Sequence, residues 1–127
     1  KDLSAGDVQD FFSLLTSIRR DIHAHPEPGF EEKRTHALLR RELKELAGIP
    51  ESCMRTCAGT GIIVDIAGRG PARPDSAVAP GTTAKVKMIA LRCDMDALRM
   101  TEKNTNLPYR STHEGVAHLC GHDGHMA

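Results

Sequence analysis

Residues 85–96 read Lys-Val-Lys-Met-Ile-Ala-Leu-Arg-Cys-Asp-Met-Asp, an apolar run that ends in two carboxylates. The composition of Lys85 to Leu91 predicts a β-strand, and Asp94 and Asp96 follow at its carboxyl end. Open α/β sheets place ligand-binding side chains at this end of their strands. Residues two apart along a strand share a face, so both carboxylates could reach one metal site or the side chains around it. A turn or capping role for either aspartate is the alternative, because Asp commonly ends strands.

Two helices are predicted upstream of this strand. From Asp7 to Ala24, apolar residues recur every three or four positions, with Ser4 or Asp7 able to cap the helix. A second amphipathic pattern runs from Glu31 to Ala47, and Gly48 with Pro50 ends it. The predicted helices therefore precede the predicted strands along the chain.

Short β-rich runs follow the second helix. Ser52 to Cys57 and Gly61 to Ile66 are predicted to be strands. The segment from Gly68 to Thr83 is rich in Pro, Gly, Ala and Ser, which predicts an exposed loop insertion. Residues 1–127 otherwise form one region, with no linker that divides it into domains.

The sequence Cys120-Gly121-His122-Asp123-Gly124-His125 combines a thiol, two imidazoles and a carboxylate with two glycines. Thiolate and neutral imidazole are strong zinc ligands, and glycine lets the backbone bend until neighbouring side chains face one point. The Cys120 thiol and the imidazoles of His122 and His125 are therefore candidate metal ligands. A loop without function is the alternative, and it is the preferred interpretation for the nearby His113 and His118.

Composition excludes several classes of function. Seventeen basic residues balance 17 acidic ones, which argues against nucleic acid or an anionic membrane as a partner. No apolar run approaches the roughly 20 residues that span a bilayer, and no signal-peptide core opens the chain. The four cysteines are irregularly spaced, so no disulfide framework is expected, and a cytoplasmic location is predicted.

Three ordered motifs resemble those of the N-acyl-amino-acid amidohydrolases. They are His23-Ala-His-Pro-Glu-Pro-Gly-Phe-Glu-Glu32 with Thr35, then residues 91–98, then residues 120–125. The family is the aminoacylase and carboxypeptidase superfamily of two-metal peptidases, in the branch of hippurate hydrolase and the indole-acetyl-amino-acid hydrolases. The resemblance covers nearly the whole chain.

The resemblance implies a three-layer α/β/α catalytic domain, of which this chain would be the amino-terminal part, two helices and then strands. The family's lid domain, which often forms a homo-oligomer, would be absent. Cys120 and His122 would bind metal, and Asp96 would be the catalytic-site carboxylate that orients a ligand. Asp94 stands where related branches have a metal-binding His, so its role stays open.

The resemblance also implies the chemistry. Two divalent ions, Zn, Mn, Co or Ni, would promote hydrolysis of the amide bond of a small N-acyl amino acid substrate. The family's Glu-Glu pair and its remaining ligands would lie beyond Ala127, so these 127 residues alone are expected to be inactive. Two alternatives remain: a non-catalytic metal-binding module, and a thiol hydrolase with Cys120 as nucleophile.

Overall fold

The computed structural model describes residues 4–68 and 88–127. Helix α1 spans Ala5–Ala24, which confirms the first predicted helix. Both candidate capping residues take part in a capping box: the Ser4 hydroxyl accepts from the Asp7 backbone N–H at 3.2 Å, and the Ser4 N–H donates to the Asp7 carboxylate at 2.9 Å. This reciprocal pair satisfies two of the donors that a helix start leaves free.

Helix α2 spans Lys33–Glu45, within the predicted range. The Glu27 carboxylate lies at its first turn and accepts from the backbone N–H groups of Arg34 at 2.9 Å and Thr35 at 2.7 Å. The negative charge also interacts favourably with the positive end of the helix dipole. Glu27 therefore acts as a helix cap supplied from the preceding loop.

Replacing Glu27 by alanine should destabilise the fold by about 1–2 kcal/mol, because two helix N–H groups lose a charged acceptor. The measurement is the urea midpoint of unfolding. Glu31→Ala in the same motif is the matched control, since Glu31 is exposed and pairs with the exposed Arg99. An exposed pair contributes about 0–1 kcal/mol. Equal midpoint shifts in the two variants would contradict the capping role.

A short antiparallel hairpin follows α2. After a 3₁₀ turn at Glu51–Cys53, strand β1 (Met54–Cys57) pairs with β2 (Gly61–Val64), and Met54 stands opposite Val64. The connecting turn has positive φ at Ala58 and Gly59. His36 of α2 donates from Nδ1 to the Thr60 carbonyl at 2.7 Å, which anchors the hairpin to the helix.

The predicted strand from Lys85 to Leu91 is wrong for the part that the structure describes. Residues 88–91 form no strand, and Met88, Ile89 and Leu91 are 84%, 89% and 96% exposed. A strand exists only where a neighbour accepts its backbone hydrogen bonds, and no described residue pairs with this segment. Residues 85–87 lie outside the described residues, as does the predicted loop from Gly68 to Thr83 apart from Gly68 itself.

Backbone pairing after this segment holds three parts of the chain together. Leu98 and Ala117 exchange two backbone hydrogen bonds of 3.0 Å, and the Ala97 N–H donates to the Glu27 carbonyl at 2.8 Å. Ile22, Ala97 and Ala117 are buried apolar residues of this region. Among the described residues, no helix combines the length and apolar content needed to cross a bilayer.

Candidate metal centre

Three potential metal ligands meet at one point beside this backbone pairing. One ligand atom from each of Asp94, His122 and His125 lies within 4.8 Å of the others. The two imidazole rings stack, with centroids 5.4 Å apart and planes at 26°. Two imidazoles and a carboxylate form a donor set suited to divalent zinc, manganese or cobalt. We refer to Asp94, His122 and His125 as the cation cluster.

The local backbone explains why the two histidines share a face. Gly121 has φ of 83°, a left-handed conformation that glycine adopts readily, and the short helix α3 (His122–Met126) starts immediately after it. Residues three apart on a helix lie on the same side, which brings His125 beside His122. The sequence predicted a bend at these glycines. In the structure, the bend consists of Gly121 in the left-handed conformation followed by one helical turn.

Asp96 fixes the orientation of His122. The His122 Nδ1–H donates to the Asp96 backbone carbonyl at 2.9 Å and lies 3.1 Å from the Asp96 carboxylate. A proton held on Nδ1 leaves Nε2 as the ring nitrogen with a free lone pair. A carboxylate or carbonyl that holds the second nitrogen of a ligating histidine is the usual arrangement around protein-bound metals.

Of the other two candidate residues, Asp94 is part of the cation cluster and Cys120 is not. Asp94 lies in the cation cluster and also accepts from the exposed Arg92 at 2.6 Å. Cys120 is exposed, and its sulfur is not among the atoms of the cluster. Its role as a ligand stays a prediction. Sequence reasoning left the roles of Asp94 and His125 open, although the three-residue spacing from His122 was a signal for His125.

The loop at residues 27–29 forms one side of the site. Pro28 and Ala97 form a parallel bridge, and Gly29 sits so close to Asp96 that a Cβ at residue 29 would lie 3.7 Å from the Asp96 Cβ. The Pro- and Gly-containing motif therefore supports the Asp96 segment and, through Glu27, caps α2.

Several polar side chains contact one another between α1 and α3, the helix that carries His122 and His125. His23 of α1 contacts the Asp123 carboxylate through Nδ1 at 2.8 Å and the Glu102 carboxylate through Nε2 at 3.0 Å. Arg19 Nε donates to the same Asp123 oxygen at 2.7 Å. The side chains of His23, Asp123 and Glu102 are 5%, 1% and 5% exposed. Sequence reasoning missed this group, because its members are 79 and 100 residues apart.

Two pKa values in this region are displaced. Burial is the largest influence on the Glu102 carboxyl and raises its pKa, but hydrogen bonds from His23 and from the Ser111 N–H bring the pKa below its ordinary value. Burial lowers the pKa of His118, and neither of its ring nitrogens has a partner among the described residues. Glu102 is therefore ionised and His118 neutral near pH 7.

The chain is similar in sequence to known peptidases and deacetylases. The sequence profile of "Peptidase family M20/M25/M40" matches residues 90–127, which contain the cation cluster and Asp96. An N-acetyldiaminopimelate deacetylase of Brevibacillus brevis is 44% identical over 115 residues, or 91% of this chain and 26% of that protein. An N-acetyl-L-cysteine deacetylase of Bacillus subtilis is also 44% identical over 115 residues, covering 89% of this chain and 23% of that protein.

The fold is similar to a solved structure of the same family. A dinuclear metal-binding peptidase of family M20 from Bacillus subtilis superposes with a TM-score of 0.71 at 37% identity, over 93% of this chain and 28% of that one. This confirms the predicted fold class, part of an α/β metallopeptidase catalytic domain. The chain spans about a quarter of the length of the curated relatives it matches. Residues 90–127 match the peptidase family M20/M25/M40, and the chain as a whole is similar to part of a dinuclear metal-binding member of family M20.

Proposed function

We propose that this chain contributes metal ligands to an enzyme that hydrolyses the amide bond of N-acyl amino acids. The complete protein, meaning this chain together with the remaining length found in its relatives, would perform the reaction. The observation that supports this most directly is the cation cluster, with His122 held by Asp96 through its other ring nitrogen. A histidine oriented in this way is prepared for metal binding rather than for a purely structural contact.

The names of the relatives support the substrate class. Two proteins that are 44% identical to this chain are named as deacetylases of N-acetyldiaminopimelate and N-acetyl-L-cysteine. Both substrates are amino acids with a small acyl group on nitrogen. We therefore propose N-acyl amino acids with short acyl groups as the substrates, and an amino acid and a carboxylic acid as the products.

The residues present fit a divalent cation. His122 would bind through Nε2, because Asp96 occupies its Nδ1, and Asp94 and His125 would add a carboxylate and a second imidazole. We retain Cys120 as a further ligand, since it lies two residues before His122 and its exposed thiol has no disulfide partner. The chemistry supplied by divalent ions in such sites is polarisation of the amide carbonyl and acidification of water.

This chain's own residues would have distinct tasks in that reaction. Asp96 holds the Nδ1 proton of His122 and keeps its ring in one orientation. The loop at residues 27–29 keeps the Asp96 segment in place through the bridge between Pro28 and Ala97. The ligands are thereby positioned before substrate binds, and preorganised geometry of this kind lowers the barrier of the chemical step.

The experiment is a metal-dependence assay on the complete protein. After chelation and dialysis, hydrolysis of N-acetyl-L-cysteine and of N-acetyldiaminopimelate should be lost, and it should return with Mn²⁺, Co²⁺ or Zn²⁺. Free amino acid is measured directly, and the corresponding N-methyl amino acids, which lack the amide, serve as the control. Hydrolysis that survives chelation and is abolished by alkylation of Cys120 would contradict this proposal in favour of a thiol hydrolase.

A further inference from the structure

Phe30 combines a backbone conformation and an exposure that are both unfavourable for folding. Its φ is 66°, the left-handed conformation, in which a bulky L-residue is an outlier. Its side chain is 80% exposed, so the ring gains little free energy from burial. Residues that depart from such local rules cluster at functional sites. The conformation of Phe30 therefore indicates a role outside folding.

The turn that contains Phe30 does not explain an aromatic residue. The Glu31 N–H donates to the Pro28 carbonyl at 2.9 Å and closes a β-turn over residues 28–31, with Phe30 in its third position. A positive φ at that position normally selects glycine. This chain has its glycine one place earlier, at Gly29. An aromatic ring is thus present where the turn itself favours no side chain.

Ala58 has a positive φ with an ordinary cause. Ala58 and Phe30 are the two non-glycine residues with positive φ among the residues that the structure describes. Ala58, with φ of 49°, precedes Gly59, with φ of 89°, in the turn between β1 and β2. Two successive positive φ angles match the twist of a tight hairpin. Phe30 lies in no hairpin, so this explanation does not apply to it.

Contacts on both sides of the turn hold Phe30 in this conformation. Before the turn, the Glu27 carbonyl accepts from the Ala97 N–H at 2.8 Å. After it, the Glu31 carboxylate pairs with Arg99. A strained residue persists only where the surrounding structure fixes it in this way.

The same turn borders the candidate metal site. Gly29, the residue before Phe30, lies against Asp96. The Asp96 backbone carbonyl in turn accepts from His122 Nδ1 at 2.9 Å. Phe30 is therefore held next to the segment that orients a member of the cation cluster.

We propose that Phe30 is a specificity-determining residue whose exposed ring contacts an apolar substituent of the substrate. This inference rests on the proposed function, hydrolysis of N-acyl amino acids. Such a substrate has a polar centre and two places for an apolar substituent, the acyl chain and the amino-acid side chain. In small-molecule sites, a few polar groups fix the orientation of the ligand and aromatic side chains supply the apolar contact. The cation cluster provides the first of these, and Phe30 provides the second.

The test compares three substrates of the complete, metal-loaded protein: N-acetylglycine, N-acetyl-L-leucine and N-butyrylglycine. Relative to N-acetylglycine, Phe30→Gly should lower kcat/KM for at least one of the other two by about tenfold, the scale of discrimination that apolar contacts provide. The loss should appear mainly in KM, because the contact exists before the chemical step. A loss with N-acetyl-L-leucine assigns the ring to the amino-acid side chain, and a loss with N-butyrylglycine assigns it to the acyl chain. Equal changes for all three substrates would overturn the proposal.

Ala58→Gly is the matched control. It also replaces an exposed residue of positive φ by glycine, but in the hairpin of β1 and β2 and without removing a ring. Both variants relieve backbone strain, so their urea midpoints should be no lower than that of the unsubstituted protein. If Phe30→Gly fails to fold, or has a lowered midpoint while Ala58→Gly does not, the ring packs against the rest of the complete protein. That result would overturn the proposal as well.

Binding measurements separate this inference from the proposed function. If the unsubstituted protein hydrolyses none of the three compounds, the proposed function fails. The Kd values of the two substituted compounds relative to N-acetylglycine, measured by titration calorimetry, then decide the role of Phe30. Relative values that are the same in Phe30→Gly and Ala58→Gly, or an absence of binding, would overturn it. If hydrolysis occurs and Phe30→Gly leaves the relative kcat/KM values unchanged, the proposed function stands and the role of Phe30 fails.

Discussion

Replacing His122 by alanine is expected to reduce kcat/KM for N-acyl amino acid hydrolysis by the complete protein by on the order of 10³-fold. A catalytic metal ion contributes several kcal/mol to transition-state stabilisation, and each 1.36 kcal/mol corresponds to a factor of ten in rate. His122 is the member of the cation cluster whose second ring nitrogen is already held, by Asp96. Its loss therefore removes the best-oriented ligand, and bound metal should fall together with activity.

The measurement combines steady-state kinetics with metal content determined by elemental analysis. His36→Ala is the control, because the side chain of this half-buried histidine on α2 has the Thr60 carbonyl as its one hydrogen-bond partner among the described residues. That variant should keep its metal and most of its activity. An His122→Ala enzyme that retains full metal content and turnover would refute the assignment of His122 as a ligand.

Asp96→Asn is expected to reduce metal affinity and kcat/KM by about 10–100-fold, the range found for partners that orient metal ligands. Asparagine keeps the size of the side chain and the backbone carbonyl that accepts from His122 at 2.9 Å. It removes the negative charge 3.1 Å from the imidazole. The loss should therefore be smaller than that for His122→Ala.

Asp65→Asn tests whether the effect of Asp96→Asn is specific to the site. Asp65 follows β2 and its side chain is 70% exposed beside Arg55, so its neutralisation should leave the Kd for metal and kcat/KM nearly unchanged. Kd values and rates are compared at one pH and ionic strength. Equal values for Asp96→Asn and the unsubstituted protein would show that Asp96 does not orient a ligand, contrary to the role that its sequence motif predicts.

The elements that could be predicted from the sequence are those whose information is local. α1 follows from the spacing of its apolar residues and from the capping pair Ser4 and Asp7, which are three residues apart. The bounds of α2 were less accurate, because its first turn is capped by Glu27, a residue of the preceding loop. The two strands of the hairpin were also predicted at nearly their observed positions, although their pairing was not.

The predicted third strand was wrong, because its formation would depend on a distant partner strand. Residues 88–91 have the composition of a strand but no partner among the described residues, and composition alone cannot supply one. The contact between the loop at residues 27–29 and Ala97 was likewise not visible in the sequence, because it joins residues about 70 positions apart.

For the candidate site, the sequence identified the acidic pair and the turn at residues 120–125 as the chemical groups, and their motifs identified the family. The sequence alone determined which ligand types are available, because donor chemistry belongs to the residue itself. Only the tertiary structure decided that Asp94 joins His122 and His125, that Asp96 faces His122, and that His23 lies between two buried carboxylates. Such contacts depend on how distant segments pack, and a carboxylate's position along the chain does not reveal which imidazole it will meet.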